Sequence, residues 1–105
     1  FRWGGLDGQG LAMMEDYSDV IINTTPAGME GGAEKDPLPA YAFSGRERVM
    51  DMVYKPEVTP FLQRALISGC RIRNGHDMLI RQARLQYSAF LGRELSEQLS
   101  SRIIV

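Results

Sequence analysis

Residues 19–29 read Asp-Val-Ile-Ile-Asn-Thr-Thr-Pro-Ala-Gly-Met, and the first five of them decide the fold class. Val20, Ile21 and Ile22 are three consecutive β-branched apolar residues between polar Asp19 and Asn23. Such a run predicts a short strand over 19–23 that is buried on both faces, as strands of parallel sheets are. Working outward, Val49-Met50-Asp51-Met52-Val53-Tyr54 predicts a second strand over 49–54, ended by the polar turn Lys55-Pro56. Between the two lies a Gly- and Pro-rich loop, 24–39, in which Gly28, Gly31 and Gly32 are free to take positive φ. One short helical turn over 38–43 and a polar connector over 44–48 complete it.

Thr59-Pro60 has the chemistry of a helix start, an N-cap hydroxyl followed by proline at the first helical position. Phe61, Leu62, Ala65, Leu66 and Ile67 then recur at helical spacing, and Gly69 closes the helix. Residues 70–74 are briefly extended, and Gly75 turns the chain. Residues 76–91 carry the strongest helical pattern, with Met78, Leu79, Ala83, Leu85, Tyr87, Phe90 and Leu91 as apolar points and Gly92 at the end. Residues 96–102 suggest a final short helix. Ahead of the first strand, 6–17 is read as short helical or irregular, because Gly8 and Gly10 each cost about 1 kcal/mol against Ala in a helix. Strand, loop, strand, helix, short strand and long helix imply parallel crossovers and an α/β sheet.

The totals set bounds. The chain has 105 residues, enough for one domain at most. Hydrophobic residues make up 44% and charged residues 24%, the make-up of an ordinary globular domain. The net charge of −1 offers no basic footprint for nucleic acid. No apolar run approaches the roughly 20 residues of a membrane span. Cys70 is the single cysteine, so neither an internal disulfide nor a cysteine-based metal site is expected, and a reducing, cytoplasmic setting is favoured. The first residue is Phe1, not Met, consistent with a chain cut from something longer.

Open α/β sheets bind ligands beyond the carboxyl ends of their strands. Three segments therefore become candidates: Asn23 to Met29, Asp51 to Pro56, and Asn74 to Leu79 leading on to Gln82. Together they are expected to bring polar groups and glycines to one edge of the sheet, with Asn23, Tyr54, Gly75 and Gln82 meeting at a single rim.

In this order the segments resemble shikimate dehydrogenase. Residues 21–29, IINTTPAGM, match a strand running into an Asn-x-Thr-x-x-Gly-Met turn. Residues 51–62, DMVYKPEVTPFL, match an Asp-x-x-Tyr strand end followed by a Thr-Pro helix, and residues 75–83, GHDMLIRQA, match a Gly-x-x-Met-Leu-x-x-Gln-Ala signature. The continuation QYSAFLG, 86–92, also fits, so the resemblance covers 19–92. It implies the C-terminal half of a Rossmann-like parallel sheet with flanking helices, and NADP-linked interconversion of 3-dehydroshikimate and shikimate. It further implies that Asn23 and Thr25 lie along NADP, that Met52 and the backbone of Gly75 approach the nicotinamide, and that Tyr54 and Gln82 hydrogen-bond the hydroxylated substrate ring. A phenol and a primary amide suit hydroxyls without adding charge, and a Met makes an adaptable apolar wall.

Each residue also has a plain structural reading. Tyr54 is by default an edge aromatic, Gln82 a solvated helix residue, Met52 core, and Thr25 a turn residue bonding its own backbone. Asp51 in an apolar strand needs a partner if buried, and a structural role bonding loop amides is expected. His76, the only histidine, reads as a first-turn helix residue, Cys70 as inert packing and Lys55 as a solvated turn charge. Arg81 and Arg84 should point away from Gln82.

Two things such an enzyme needs do not stand in the sequence. Gly4-Gly5 and Gly8-x-Gly10 follow no strand, so they are rejected as the phosphate-binding turn. The family's catalytic Lys and Asp belong to its N-terminal substrate domain, which nothing here matches, so no catalytic or metal-binding residue is assigned. The chain alone is therefore expected to be inactive and marginally stable. Its expected partners are the small-molecule substrate, the N-terminal domain of a parent protein or a second copy of itself; neither nucleic acid nor membrane is expected. Alternatives are a quinate/shikimate dehydrogenase, a ligand-sensing transcriptional regulator derived from a pathway enzyme, or a structural fragment. The parent is also open to being a multi-enzyme fusion.

Overall fold

The computed structural model of the chain describes residues 3–92. Its elements run α1 (Gly8–Tyr17), β1 (Val20–Asn23), β2 (Arg48–Asp51), α2 (Pro60–Ile67), β3 (Arg71–Arg73) and α3 (His76–Leu91). The chain divides into two compact units, Phe1–Asn74 and Gly75–Val105. The helix expected over 96–102 and the apolar end at 103–105 fall outside the described residues.

The first unit holds a parallel sheet of order β1-β2-β3. The register sets Ile21 beside Val49 and Val49 beside Ile72, with Asn23 beside Asp51 one step further on. These residues share one face, and α2 closes it with Phe61, Leu62 and Ala65, all fully buried. Ile21, Leu38, Tyr41, Val49 and Cys70 complete the core. The Cys70 thiol is buried there, as its packing role required, and burial pushes its pKa up.

Thr59 caps α2 as its sequence promised. Its hydroxyl accepts the Leu62 N–H at 3.2 Å, and Pro60 occupies the first turn, where a missing N–H costs nothing.

Three expectations need correction. β1 is covered on one face only: Val20 and Ile22 remain 58% and 52% exposed. They border a groove of about 600 Å³ shared with Trp3, Leu6, Met13 and Tyr17, where α1 lies beside the sheet without covering it. The second strand stops at Asp51 instead of Tyr54. Asp51 Oδ1 takes the Val53 N–H at 3.0 Å, turning the chain out of the ladder. The helical turn expected over 38–43, finally, is a simple turn in which the Tyr41 N–H donates to Leu38 O at 3.0 Å. Residues 8–17 take the helical one of their two readings, because Asp7 Oδ1 accepts the Gly10 N–H at 3.0 Å and caps α1.

The connection from β1 to β2, residues 24–47, contains no helix, and side chains hold it in place. Arg64 on α2 clamps one end. Its guanidinium donates to Asp36 Oδ2 and Oδ1 at 2.7 and 3.2 Å, to Leu38 O at 2.6 Å and to Tyr41 O at 2.7 Å, while lying 5.2 Å over the Phe43 ring. Glu47 fastens the other end. It is buried, and its carboxylate accepts from the Tyr41 hydroxyl at 3.2 Å, the Ser44 amide at 3.0 Å, the Ser44 hydroxyl and the Arg46 amide at 3.1 Å. Burial by itself would raise the Glu47 pKa; the Ser44 hydroxyl and amide and the other donors overcome it and hold the group at about 2.

In the second unit α3 starts at His76 without a side-chain cap and ends at Gly92 in the left-handed conformation.

Candidate functional site

The carboxyl ends of β1 and β2 lie side by side, and the chain leaves each in a turn. Between those turns opens a cavity of about 480 Å³ lined by Thr24, Thr25, Pro26, Met29, Glu30, Met52, Val53, Tyr54 and Lys55. Its two walls are joined by backbone, the Glu30 N–H donating to Lys55 O at 3.0 Å. The Lys55–Pro56 peptide is cis.

Beneath the cavity is a buried polar knot. Asp51 and Thr59 are fully buried and Asn23 is 5% exposed. Asp51 Oδ1 accepts the Asn23 side-chain amide at 3.0 Å as well as the Val53 N–H, and Asp51 Oδ2 accepts the Thr59 hydroxyl at 2.7 Å. Three donors, none a cation, satisfy the carboxyl group; one is the loop amide expected of it, and two are side chains. Thr59 gives its proton to Asp51 while its oxygen caps α2, so the knot joins both strand ends to the helix start.

Asn23 is committed wholly to this arrangement. Its Nδ2 donates to Ala27 O at 3.2 Å and to Asp51, and its Oδ1 accepts the Thr25 N–H at 3.0 Å and the Thr25 hydroxyl at 2.6 Å. A primary amide has two donors and two acceptor lone pairs, so none is left to offer a ligand. The Thr25 oxygen in turn accepts the Ala27 N–H at 3.3 Å. Gly28 closes the turn at φ +96°, and a Cβ there would meet Lys35 O at 3.1 Å and Thr59 Cβ at 3.3 Å.

The other predicted site residues fall into two groups. Met52 and Tyr54 line the cavity with Thr25, all three exposed at its wall. Among the described residues the Tyr54 hydroxyl has no hydrogen-bond partner. Gly75 and Gln82 belong to the second unit, at the entry to α3 and on its second turn, where Gln82 is exposed. Pro26, Met29 and Val53 were not singled out for the cavity from sequence. The signal was present: each lies within three residues of a strand's carboxyl end or its turn.

The early glycines lie at and before the start of α1. Asp7 caps that helix, placing a carboxylate where an anion would have to sit. Among the described residues no group of three or more His, Cys, Asp or Glu could hold a metal ion. No described helix is long and apolar enough to cross a membrane.

Comparison with known proteins agrees with this geometry. A shikimate dehydrogenase (NADP(+)) of Moorella thermoacetica is 35% identical over 90% of the chain, and one of Ignicoccus hospitalis is 39% identical over 84%. The chain belongs to the shikimate dehydrogenase family. It spans about a third of the length of these relatives, 32% and 34%.

Among solved structures, a shikimate dehydrogenase in complex with NADP+ superposes with a TM-score of 0.78 at 31% identity, covering 90% of the chain and 33% of that protein. A shikimate 5-dehydrogenase from Listeria monocytogenes, in complex with shikimate and NAD, gives 0.79 at 27% identity, over 94% and 35%. A quinate dehydrogenase from Corynebacterium glutamicum, in complex with NAD, gives 0.66 at 29% identity, over 88% and 33%. The α/β, Rossmann-like architecture of the family is thus present in the chain. No family model matches it.

Proposed function

We propose that the chain is the C-terminal portion of an NADP-dependent shikimate dehydrogenase, supplying one wall of a site whose catalytic groups lie in an N-terminal domain of the same polypeptide. The observation that carries this reading is the cavity at the carboxyl ends of β1 and β2, in a chain whose relatives are shikimate dehydrogenases. The wall fits a flat, weakly polar ring. Met29, Met52, Pro26 and Val53 give apolar surface, and Thr24, Thr25 and Tyr54 give hydroxyls at its edge.

Bound NADP would supply the two-electron chemistry. The chain's own residues would hold and orient. Met52 and Met29 pack against the nicotinamide end and keep water from it. The Tyr54 hydroxyl takes a hydrogen bond from, or gives one to, a ring hydroxyl of shikimate or 3-dehydroshikimate; the family resemblance carries a substrate role to Gln82 as well. Thr25 keeps the cofactor-side turn in shape, and Asn23 acts through that turn. The backbone of Gly75 lets the nicotinamide approach closely. The adenosine and phosphate ends of NADP require groups from the remaining two thirds of the enzyme. The work fits the making of chorismate precursors in the cytoplasm.

Turnover tests this. The chain alone is expected to show no NADP-dependent oxidation of shikimate. Joined behind the upstream two thirds of a shikimate dehydrogenase, it is expected to give NADPH formation that Tyr54→Phe reduces roughly tenfold, the loss of one hydrogen bond to substrate. Activity of the isolated chain, or an active fusion indifferent to Tyr54→Phe, would count against the proposal. The quinate dehydrogenase likeness supports a second reading, since quinate also offers ring hydroxyls to Tyr54. Quinate assayed beside shikimate decides between them.

A further inference from the structure

We infer that Asp51 is a positioning residue for the cavity, setting the distance between its two walls without touching a ligand. This rests on the functional reading above, and concerns how the same site is built. The two walls are the residues that immediately follow Asn23 and Asp51: Thr24, Thr25 and Pro26 on one side, Met52, Val53 and Tyr54 on the other. Sheet hydrogen bonding ends with those two residues, paired in register. Beyond them the walls are tied by the Met52 N–H to Asn23 O at 3.0 Å, by Glu30 to Lys55 at the outer rim, and by Asp51.

Asp51 alone among these acts on both walls and on the helix. Through Oδ1 it fixes the Asn23 amide, and with it the Thr25 and Ala27 bonds that shape the first wall. The same oxygen holds Val53 N–H, which directs Met52 and Tyr54 along the second. Oδ2 anchors Thr59 at the head of α2. A residue needed only to fill the core at this position would be apolar, because a buried carboxyl group is tolerated only with full hydrogen bonding. The group is fully buried, and every donor it takes belongs to a segment that forms or supports the cavity.

The chain carries its own probes. Of six methionines, Met29 and Met52 line the cavity, while Met13 and Met14 lie on α1, Met50 on β2 and Met78 on α3. With methionine methyls labelled, Asp51→Asn, which keeps the shape but turns one acceptor into a donor facing Thr59, is expected to shift or broaden Met29 and Met52 and leave the other four in place. Thr59→Val is expected to reproduce that pattern, and Thr59→Ser, which keeps the hydroxyl, to restore the wild-type spectrum. In the active fusion, Asp51→Asn is expected to raise KM for NADP and shikimate about tenfold with a smaller change in kcat. Unmoved Met29 and Met52 signals in a folded variant would overturn the inference. So would equal movement of all six, or loss of folding in both Asp51→Asn and Thr59→Val, since each marks a general structural role. A wild-type fusion that turned over neither shikimate nor quinate would instead refute the functional reading, and the methionine spectra would still decide the role of Asp51.

Discussion

The side-chain amide of Asn23 donates to Asp51 Oδ1 at 3.0 Å across 28 positions of sequence, fastening the end of β1 to the end of β2. This bond is sensitive to charge. Asn23→Asp would set two carboxylates against each other in a buried place and is expected to destabilise the fold by about 3 kcal/mol at neutral pH. Chemical denaturation of the variant at neutral pH checks the size.

Arg64 makes a second connection that a mere positive charge cannot replace. Its fork reaches Asp36 and two carbonyls at once, and its central carbon lies 5.2 Å over the Phe43 ring. Arg64→Ala is expected to cost about 2 kcal/mol, less than full burial would give because the side chain is 34% exposed. Arg64→Lys should recover under half of it, since an ammonium has no planar fork. Urea midpoints of the two variants provide the measurement.

Glu47 predicts an acid limb to the stability curve. Its folded pKa of about 2 lies below the ordinary 4.5. Between those values the unfolded chain binds a proton that the folded chain does not, so stability falls as pH drops through this window and is fully present above it. Glu47→Gln should be less stable than wild type at pH 7 by about 2 kcal/mol. It should also lose this component of the acid dependence. Thermal melts at pH 3 and pH 7 for both proteins would show the two curves converging in acid; parallel curves would contradict the assignment.

Gly45 admits no side chain. It stands at φ +95°, and a Cβ would fall 2.4 Å from the Ser68 carbonyl oxygen. Gly45→Ala is expected to destabilise by at least about 2 kcal/mol, more than the roughly 1 kcal/mol of the backbone conformation alone, because the clash is with backbone that cannot rotate away. A variant as stable as wild type would mean that the connector before β2 can move freely.

Much of this was readable from residues with a single physical job. Thr59-Pro60 specified a helix start by its hydroxyl and its missing N–H, and the strand near Val20–Asn23 by three β-branched residues in a row. The errors have equally local causes. Met52 to Tyr54 looked like strand because they are apolar, but the Asp51 carboxyl group removes the amide that would have continued the ladder. The segment at Gly8 stood between helix and irregular chain because of its glycines, and the capping Asp7 decides for helix. Asn23 was assigned to the cofactor from its motif; what its motif does not show is that its amide bonds Ala27, Asp51 and Thr25. Gly75 and Gln82 stand on the second unit, and their roles depend on groups that sequence spacing does not position.

The outer edge of β1 has no strand beside it among the described residues, and Val20 and Ile22 stand exposed on its uncovered face. Such an edge is a template for whatever backbone arrives next. Made by itself, the chain should therefore become less soluble as its concentration rises, through self-pairing at that edge, and co-production with the upstream two thirds of a shikimate dehydrogenase should protect it. Its handling in the test tube will reflect that open edge as much as any property of its cavity.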